Sequence, residues 1–131
     1  MKYGICLQSV VSVRKQPGDH CEMTNQLLFG DFLLIKDQLK QWLLIETADD
    51  GYNGWVDQKQ IMEITDAEFK QLNRAMRYYS TEYYHKAISV SEQEFFHVSL
   101  GSQLPQFENG KFLIKNTEYH FSGKIKNAEN N

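Results

Sequence analysis

Between Tyr3 and Ile61 the sequence holds no sustained helical period: short runs of apolar, β-branched and aromatic residues alternate with turn residues, and this pattern constrains the fold most. A chain punctuated in this way forms short strands. The run from Gly4 to Val13 stops at Arg14-Lys15-Gln16-Pro17-Gly18-Asp19, where Pro and Gly impose a turn or a long loop. Two stronger runs follow, Gln26 to Ile35 and Gln41 to Thr47. The polar stretch Lys36-Asp37-Gln38-Leu39-Lys40 between them has the length of a hairpin loop and predicts an antiparallel pair. Both runs are nearly continuous in apolar residues, so both faces of each strand need cover, and closing a small sheet into a barrel is the expected way to provide it. Asp49-Asp50-Gly51-Tyr52-Asn53-Gly54-Trp55-Val56-Asp57 then reads as a glycine-punctuated loop entering a short strand, and Gln58 to Ile61 suffices for a single helical turn.

At Thr65 the period changes. Thr65-Asp66-Ala67-Glu68 is a capping-box sequence, and Phe69, Leu72, Met76 and Tyr79 recur at helical spacing, which predicts a helix from about Asp66 to about Tyr79, packed on its own domains. Glu94 to Leu100, Lys111 to Lys115 and Glu118 to Ile125 read as strands again, with a type I′ hairpin turn expected at Asn109-Gly110. Leu28-Phe29-Gly30-Asp31 is echoed by Ser99-Leu100-Gly101-Ser102, and Tyr52 to Val56 by Tyr119 to Ile125. The expected organisation is mainly β: a five-stranded barrel over 1–62, a linking helix within 63–84, a second smaller β unit over 85–126, and a frayed tail over 127–131. The Tyr78-Tyr79 and Tyr83-Tyr84 pairs are placed to wedge the two units together.

With 41% hydrophobic residues in 131, the chain can bury a real core. Fourteen Lys and Arg against seventeen Asp and Glu leave a net charge of -3 without a basic stripe, so no nucleic-acid partner is expected. No long apolar run calls for a membrane, and a cytoplasmic setting is expected, with Cys6 and Cys21 as free thiols. Neither cysteine nor the scattered His20, His85, His97 and His120 has metal-site spacing, and no cofactor is implied. Cys6 sits in an apolar strand, where burial raises a thiol pKa, and Cys21 has only the adjacent His20 as a base, so neither reads as a nucleophile. Asp49-Asp50 reads as a solvated turn-forming pair rather than an acid and a base.

The candidate binding feature is the aromatic loop at Tyr52, helped by the Pro17 loop. A tyrosine flanked by small, turn-prone neighbours projects a flat face with a hydroxyl at its tip from a rigid frame. Asp50, Gly51 and Gly54 shape that loop; Trp55 and Phe29 are expected in the core, and Trp42 fits either core or surface.

Arg14-x-x-Pro17, then Cys21-Glu22-Met23-x-x-Gln26-Leu27-Leu28-Phe29-Gly30-Asp31, Trp42, and Asp50-Gly51-Tyr52-x-Gly54-Trp55-Val56 follow one another in an order that resembles the N-terminal bacterial SH3-like domain of NlpC-type cysteine peptidases. The similarity points in particular to the cytoplasmic murein-peptide enzymes of the dipeptidyl-peptidase VI type, which are γ-D-glutamyl-L-diamino-acid endopeptidases. It covers residues 1–62 and extends over 85–126 through Leu100-Gly101-Ser102-x-Leu104-Pro105 and Tyr119 to Gly123, as a second SH3-like unit. That family carries its nucleophile in an Asp-Cys-Ser-Gly motif of a following papain-like domain, and the motif does not occur here. The resemblance therefore implies a non-catalytic fragment of a hydrolase. Its partner would be a murein-derived peptide shared with a downstream catalytic domain, with Tyr52 helping to close the pocket around the free N-terminal L-Ala of L-Ala-γ-D-Glu-diamino-acid peptides. The alternative is a stand-alone SH3-like module docking a protein or Pro-rich peptide, which would want a row of exposed aromatics along one groove.

Overall fold

A computed structural model of the chain describes residues 2–91 and 93–127. The described residues form β1 (Lys2–Cys6), β2 (Val10–Arg14), β3 (Met23–Leu28), β4 (Phe32–Leu39), β5 (Trp42–Thr47), β6 (Asn53–Asp57), a 3₁₀ turn at Gln58–Gln60, β7 (Ile61–Ile64), α1 (Asp66–Arg74), β8 (Tyr78–Ser80), β9 (Tyr84–Ser89), β10 (Phe95–Ser99), β11 (Lys111–Ile114), β12 (Thr117–His120) and β13 (Ile125–Asn127). The fold is mainly β and SH3-like. β3-β2-β6-β5-β4-β1-β7 make one antiparallel sheet of seven strands rather than five, because the Gly4 to Val13 run divides into β1 and β2 and β7 adds to β1; β10-β9-β12-β11 make a second, and β13-β8 a two-stranded third.

The first sheet curls around its own core of Cys6, Val11, Val13, Leu27, Leu33, Leu43, Ile45 and Val56. Each strand from β1 to β6 contributes one or two of these side chains, as the inner face of a small barrel requires. The near-continuous apolar runs have a second cause that closure alone does not supply. Along β1 and β4, neighbouring residues point to opposite faces. Cys6 and Leu33 enter the barrel, while Ile5 and Phe32 enter a different core with Ile64, Phe69, Ala87, Val98, Leu104, Phe112, Ile114, Tyr119 and Phe121. The outer face is thus covered by α1 and the second β unit, which share one apolar core with the outside of the barrel.

Several boundaries differ from those expected. The Gln26 to Ile35 run is broken at Phe29-Gly30-Asp31, where the chain turns with Gly30 at φ +86° and the Asp31 amide donates to the Leu28 carbonyl at 3.0 Å. The polar stretch Lys36 to Lys40 is not a loop: β4 continues to Leu39, with a bulge between Ile35 and Asp37, and the hairpin turns at Lys40-Gln41. Cross-strand pairing with β5 outweighs the polarity of those side chains, which project into solvent.

The capping box forms, Thr65 Oγ1 accepting from the Glu68 amide at 3.1 Å and Glu68 Oε1 from the Thr65 amide at 2.8 Å. The helix ends at Arg74 rather than near Tyr79. Arg77 explains the stop, because its Nη1 donates to the carbonyls of Leu72, Asn73 and Ala75 and satisfies acceptors that another turn would have used. Tyr78 and Tyr79 are then free to start β8. Asn127 is likewise not part of a frayed tail: Ile125, Lys126 and Asn127 pair with Ser80, Tyr79 and Tyr78, and residues 128–131 lie outside the described ones. The type I′ turn forms, with Asn109 and Gly110 at φ +51° and +75° between Glu108 and Lys111.

Candidate functional site

The loop that carries Tyr52 is built on Thr47. Its amide donates to the Tyr52 carbonyl at 2.9 Å, its carbonyl accepts from Gly51 at 2.9 Å, and its hydroxyl accepts from the Tyr52 amide at 2.8 Å while donating to the Asp50 carboxylate. Asp50 and Gly51, at φ +67°, thus close a short turn. Gly54 is buried in β6 against Val13, where a Cβ would collide. Tyr52 is half-buried, one side of its ring resting on the barrel core.

Asp49, expected to be solvated beside Asp50, instead faces the second unit. Arg77 Nε donates to its Oδ1 at 3.0 Å, while Gln103 Nε2 and Tyr79 Oη donate to its Oδ2 at 2.8 and 3.3 Å. The Gln103 amide nitrogen also donates to Asp31 Oδ1 at 3.0 Å, and the other oxygen of Asp31 accepts from the Leu28 amide at 2.8 Å. One side-chain amide therefore bridges two carboxylates from two loops of the barrel. The Gln103 backbone amide reaches the Phe29 carbonyl at 2.8 Å, and Gly30 packs so close to the Gln103 carbonyl that any Cβ there would clash. The Arg77 guanidinium lies 4.6 Å from the centre of the Phe32 ring. Burial pushes Asp31 up to about 6 and Tyr79 up to about 12, the latter helped by the Asp49 charge.

Of the other residues singled out from sequence, Phe29 is fully buried in the shared core. Trp55, expected in the barrel core, is half-buried on its outside, because β6 alternates and places Gly54 and Val56 inward. Trp42 is the buried tryptophan, 8% exposed. Tyr78 packs against Phe107 and Tyr79 reaches Asp49, so this pair lies at the seam. Tyr83 is 84% exposed and wedges nothing, and the side chain of Tyr84 lies outside the described residues. The Pro17 loop closes on itself, Cys21 donating to the Gly18 carbonyl and Lys15 to that of Glu22. Cys6 is buried, its thiol pushed up to about 12 by desolvation. Among the described residues no three His, Cys, Asp or Glu side chains group as metal ligands, and no helix is long and apolar enough to cross a membrane.

Sequence reasoning missed Asp49, Arg77, Tyr79 and Gln103 as a group. They lie up to 54 residues apart and share no local motif, so only the packing of the two units brings them together.

Residues 13–61 match the family model of the bacterial dipeptidyl-peptidase SH3 domain. The matched residues lie within the SH3-like barrel read from the sequence. The chain superposes on an NlpC/P60 family protein from Bacillus cereus with a TM-score of 0.73 at 14% identity, over 95% of this chain and 56% of that one. An NlpC/P60 endopeptidase from Photobacterium damselae subsp. piscicida superposes with a TM-score of 0.65 at 18% identity, over 96% and 33%. The chain thus spans about half and a third of those structures, and at such identities the likeness is one of fold. No curated protein matches the chain.

Proposed function

We propose that this chain is the non-catalytic, substrate-recognition region of a murein-peptide cysteine endopeptidase of the NlpC/P60 type, acting in the cytoplasm. In this reading it walls the pocket for the free N-terminal L-Ala of an L-Ala-γ-D-Glu-diamino-acid peptide beside a catalytic domain. The observation that carries the reading is the Tyr52 turn: two backbone bonds to Thr47 and one to its hydroxyl hold it, and Asp49 ties its base to the second unit. A tyrosine on so fixed a frame presents its hydroxyl at little conformational cost, which is what an orienting contact requires. The barrel match and the shared fold support the parent class. A Cys6 thiol raised to about 12 has almost no thiolate at neutral pH, so the nucleophile would be supplied by the catalytic domain.

The stand-alone module is the competing reading. It would use a groove of about 570 Å³ lined by Leu7, Met62, Phe95, Phe96 and Tyr119, with Phe95 and Met62 exposed, and that groove contains no residue of the Tyr52 loop.

The test is made in the intact protein joined to its catalytic domain. Tyr52→Phe should cost about one charge-assisted hydrogen bond, on the order of 1 to 3 kcal/mol, or roughly five- to a hundredfold in kcat/KM on free-amine peptides. An N-acetylated peptide should lose nothing further. Unchanged kinetics on both peptides, or a gene without a cysteine-peptidase domain, would sink this reading.

A further inference from the structure

We infer that Gln103 is a positioning residue for the Tyr52 loop, through which the second β unit sets the loop's conformation. The inference rests on the reading above only for what the loop binds. The positioning itself is a property of this chain.

Gln103 is 5% exposed and bonds at both of its levels: its backbone amide to Phe29, its side-chain amide to Asp31 and Asp49. The two carboxylates lie at the bases of different loops. Asp31 closes the Leu28–Asp31 turn, and Asp49 begins the turn that ends in Tyr52. The Ala48 amide, beside Asp49, donates to the Phe32 carbonyl, beside Asp31, at 3.1 Å, which sets the two loop bases next to each other, and the Gln103 amide is the side-chain link that joins their carboxylates. A glutamine suits the position because its two N–H groups serve two acceptors with no charge, in a place where a buried cation would need fuller solvation. The segment that carries it is itself held by the second unit, Leu104 donating to the Tyr78 carbonyl and Ser80 to that of Ser102, both within 2.9 Å. Movement of β8 or of the Gly101–Leu104 segment is therefore transmitted to Asp49. Arg77 and Tyr79 also hold Asp49, but both are partly solvent-exposed, and Gln103 alone among the three also reaches Asp31.

Amide hydrogen exchange on the chain tests this without any substrate. Gln103→Met keeps length and volume but removes both donors. The Gly51 and Tyr52 amides should then exchange about tenfold faster or more, while the amides of β5 keep their protection. Gln103→Asn, which withdraws the amide by one methylene, should loosen the same two positions and serves if the Met variant does not fold. Gln103→Glu adds a fourth carboxylate to Asp31, Asp49 and the nearby Asp50, facing Arg77 and Tyr79. It should loosen the loop at pH 8 and recover protection toward pH 5, after correction for intrinsic exchange, because a protonated carboxyl regains one donor. A merely structural glutamine would give neither the local effect nor the pH recovery. Exchange rising equally in the loop and in β5, or unchanged in the loop, overturns the inference. In the intact enzyme, a loosened loop with unchanged kcat/KM would uphold the positioning and defeat the reading of Tyr52 as a substrate contact.

Discussion

The turn at Leu28–Asp31 and the turn at Ser99–Ser102 are built alike and do different work. In each, the last residue's amide donates to the first residue's carbonyl, at 3.0 and 3.1 Å, and its side-chain oxygen accepts from the first residue's amide, at 2.8 and 3.2 Å. The third residue is glycine in both, at φ +86° and +85°. The faint echo between these segments in the sequence is thus a shared backbone construction. They diverge at the last residue. The Ser102 hydroxyl exhausts itself on Ser99, whereas the carboxylate of Asp31 has a second oxygen, and that oxygen takes Gln103. The comparison teaches that glycine and a short acceptor suffice to make the turn, while the spare valence of a carboxylate lets one copy also serve as a junction.

The largest effect should separate the two glycines. Gly30→Ala would set a Cβ into the Gln103 backbone at a left-handed φ, so about 3 kcal/mol or more should be lost in urea unfolding. Gly101→Ala meets only the Leu28 side chain at 3.3 Å, which can move, and should lose about 1 to 2 kcal/mol. Equal losses would mean that the seam at Gly30 is looser than described.

Asp31 sharpens the comparison through pH. Its folded pKa, about 6, lies above the ordinary value of 3.8 because burial disfavours the charge. The folded state therefore binds the proton more readily, and this group's contribution is full below about pH 4 and is lost as pH rises to about 6. Asp31→Asn should flatten that part of the stability profile, a difference on the order of 1 to 3 kcal/mol across the window. Matching profiles for Asp31→Asn and the parent chain, measured by denaturant titration between pH 4 and 7, would show that the carboxylate is solvated after all. Ser102→Ala carries no charge into its turn. It should cost about 1 kcal/mol for the lost bonds and leave the pH profile unmoved.

Much of the fold was legible because its signals are local. The Asn109-Gly110 turn and the Thr65 capping box each act within a few residues and appear in the structure where the pattern placed them, whereas the apolar runs appear as strands but divided, Gly4 to Val13 into β1 and β2 and Glu118 to Ile125 into β12 and β13. The errors share a cause. The Gln26 to Ile35 run looked unbroken because apolarity reports burial and not direction, and a turn inside two cores is as apolar as a strand. The helical period runs past the helix because Tyr79 falls on it by coincidence, and the side chain that stops the helix, Arg77, acts from outside it. Size argues for burial of Trp55, whereas the strand's alternation decides its face.

By itself, then, the sequence determined an SH3-like barrel, a capped helix and further strands, together with a glycine-punctuated loop from Asp49 that carries Tyr52, since these follow from interactions along or just across the chain. Only the tertiary structure decided that the second unit shares a core with the barrel's outer face and that Gln103, Arg77 and Tyr79 converge on Asp49. A hydrogen bond spanning 54 residues leaves no periodicity to read; it exists because two apolar faces meet and force the polar groups at their margin to satisfy one another.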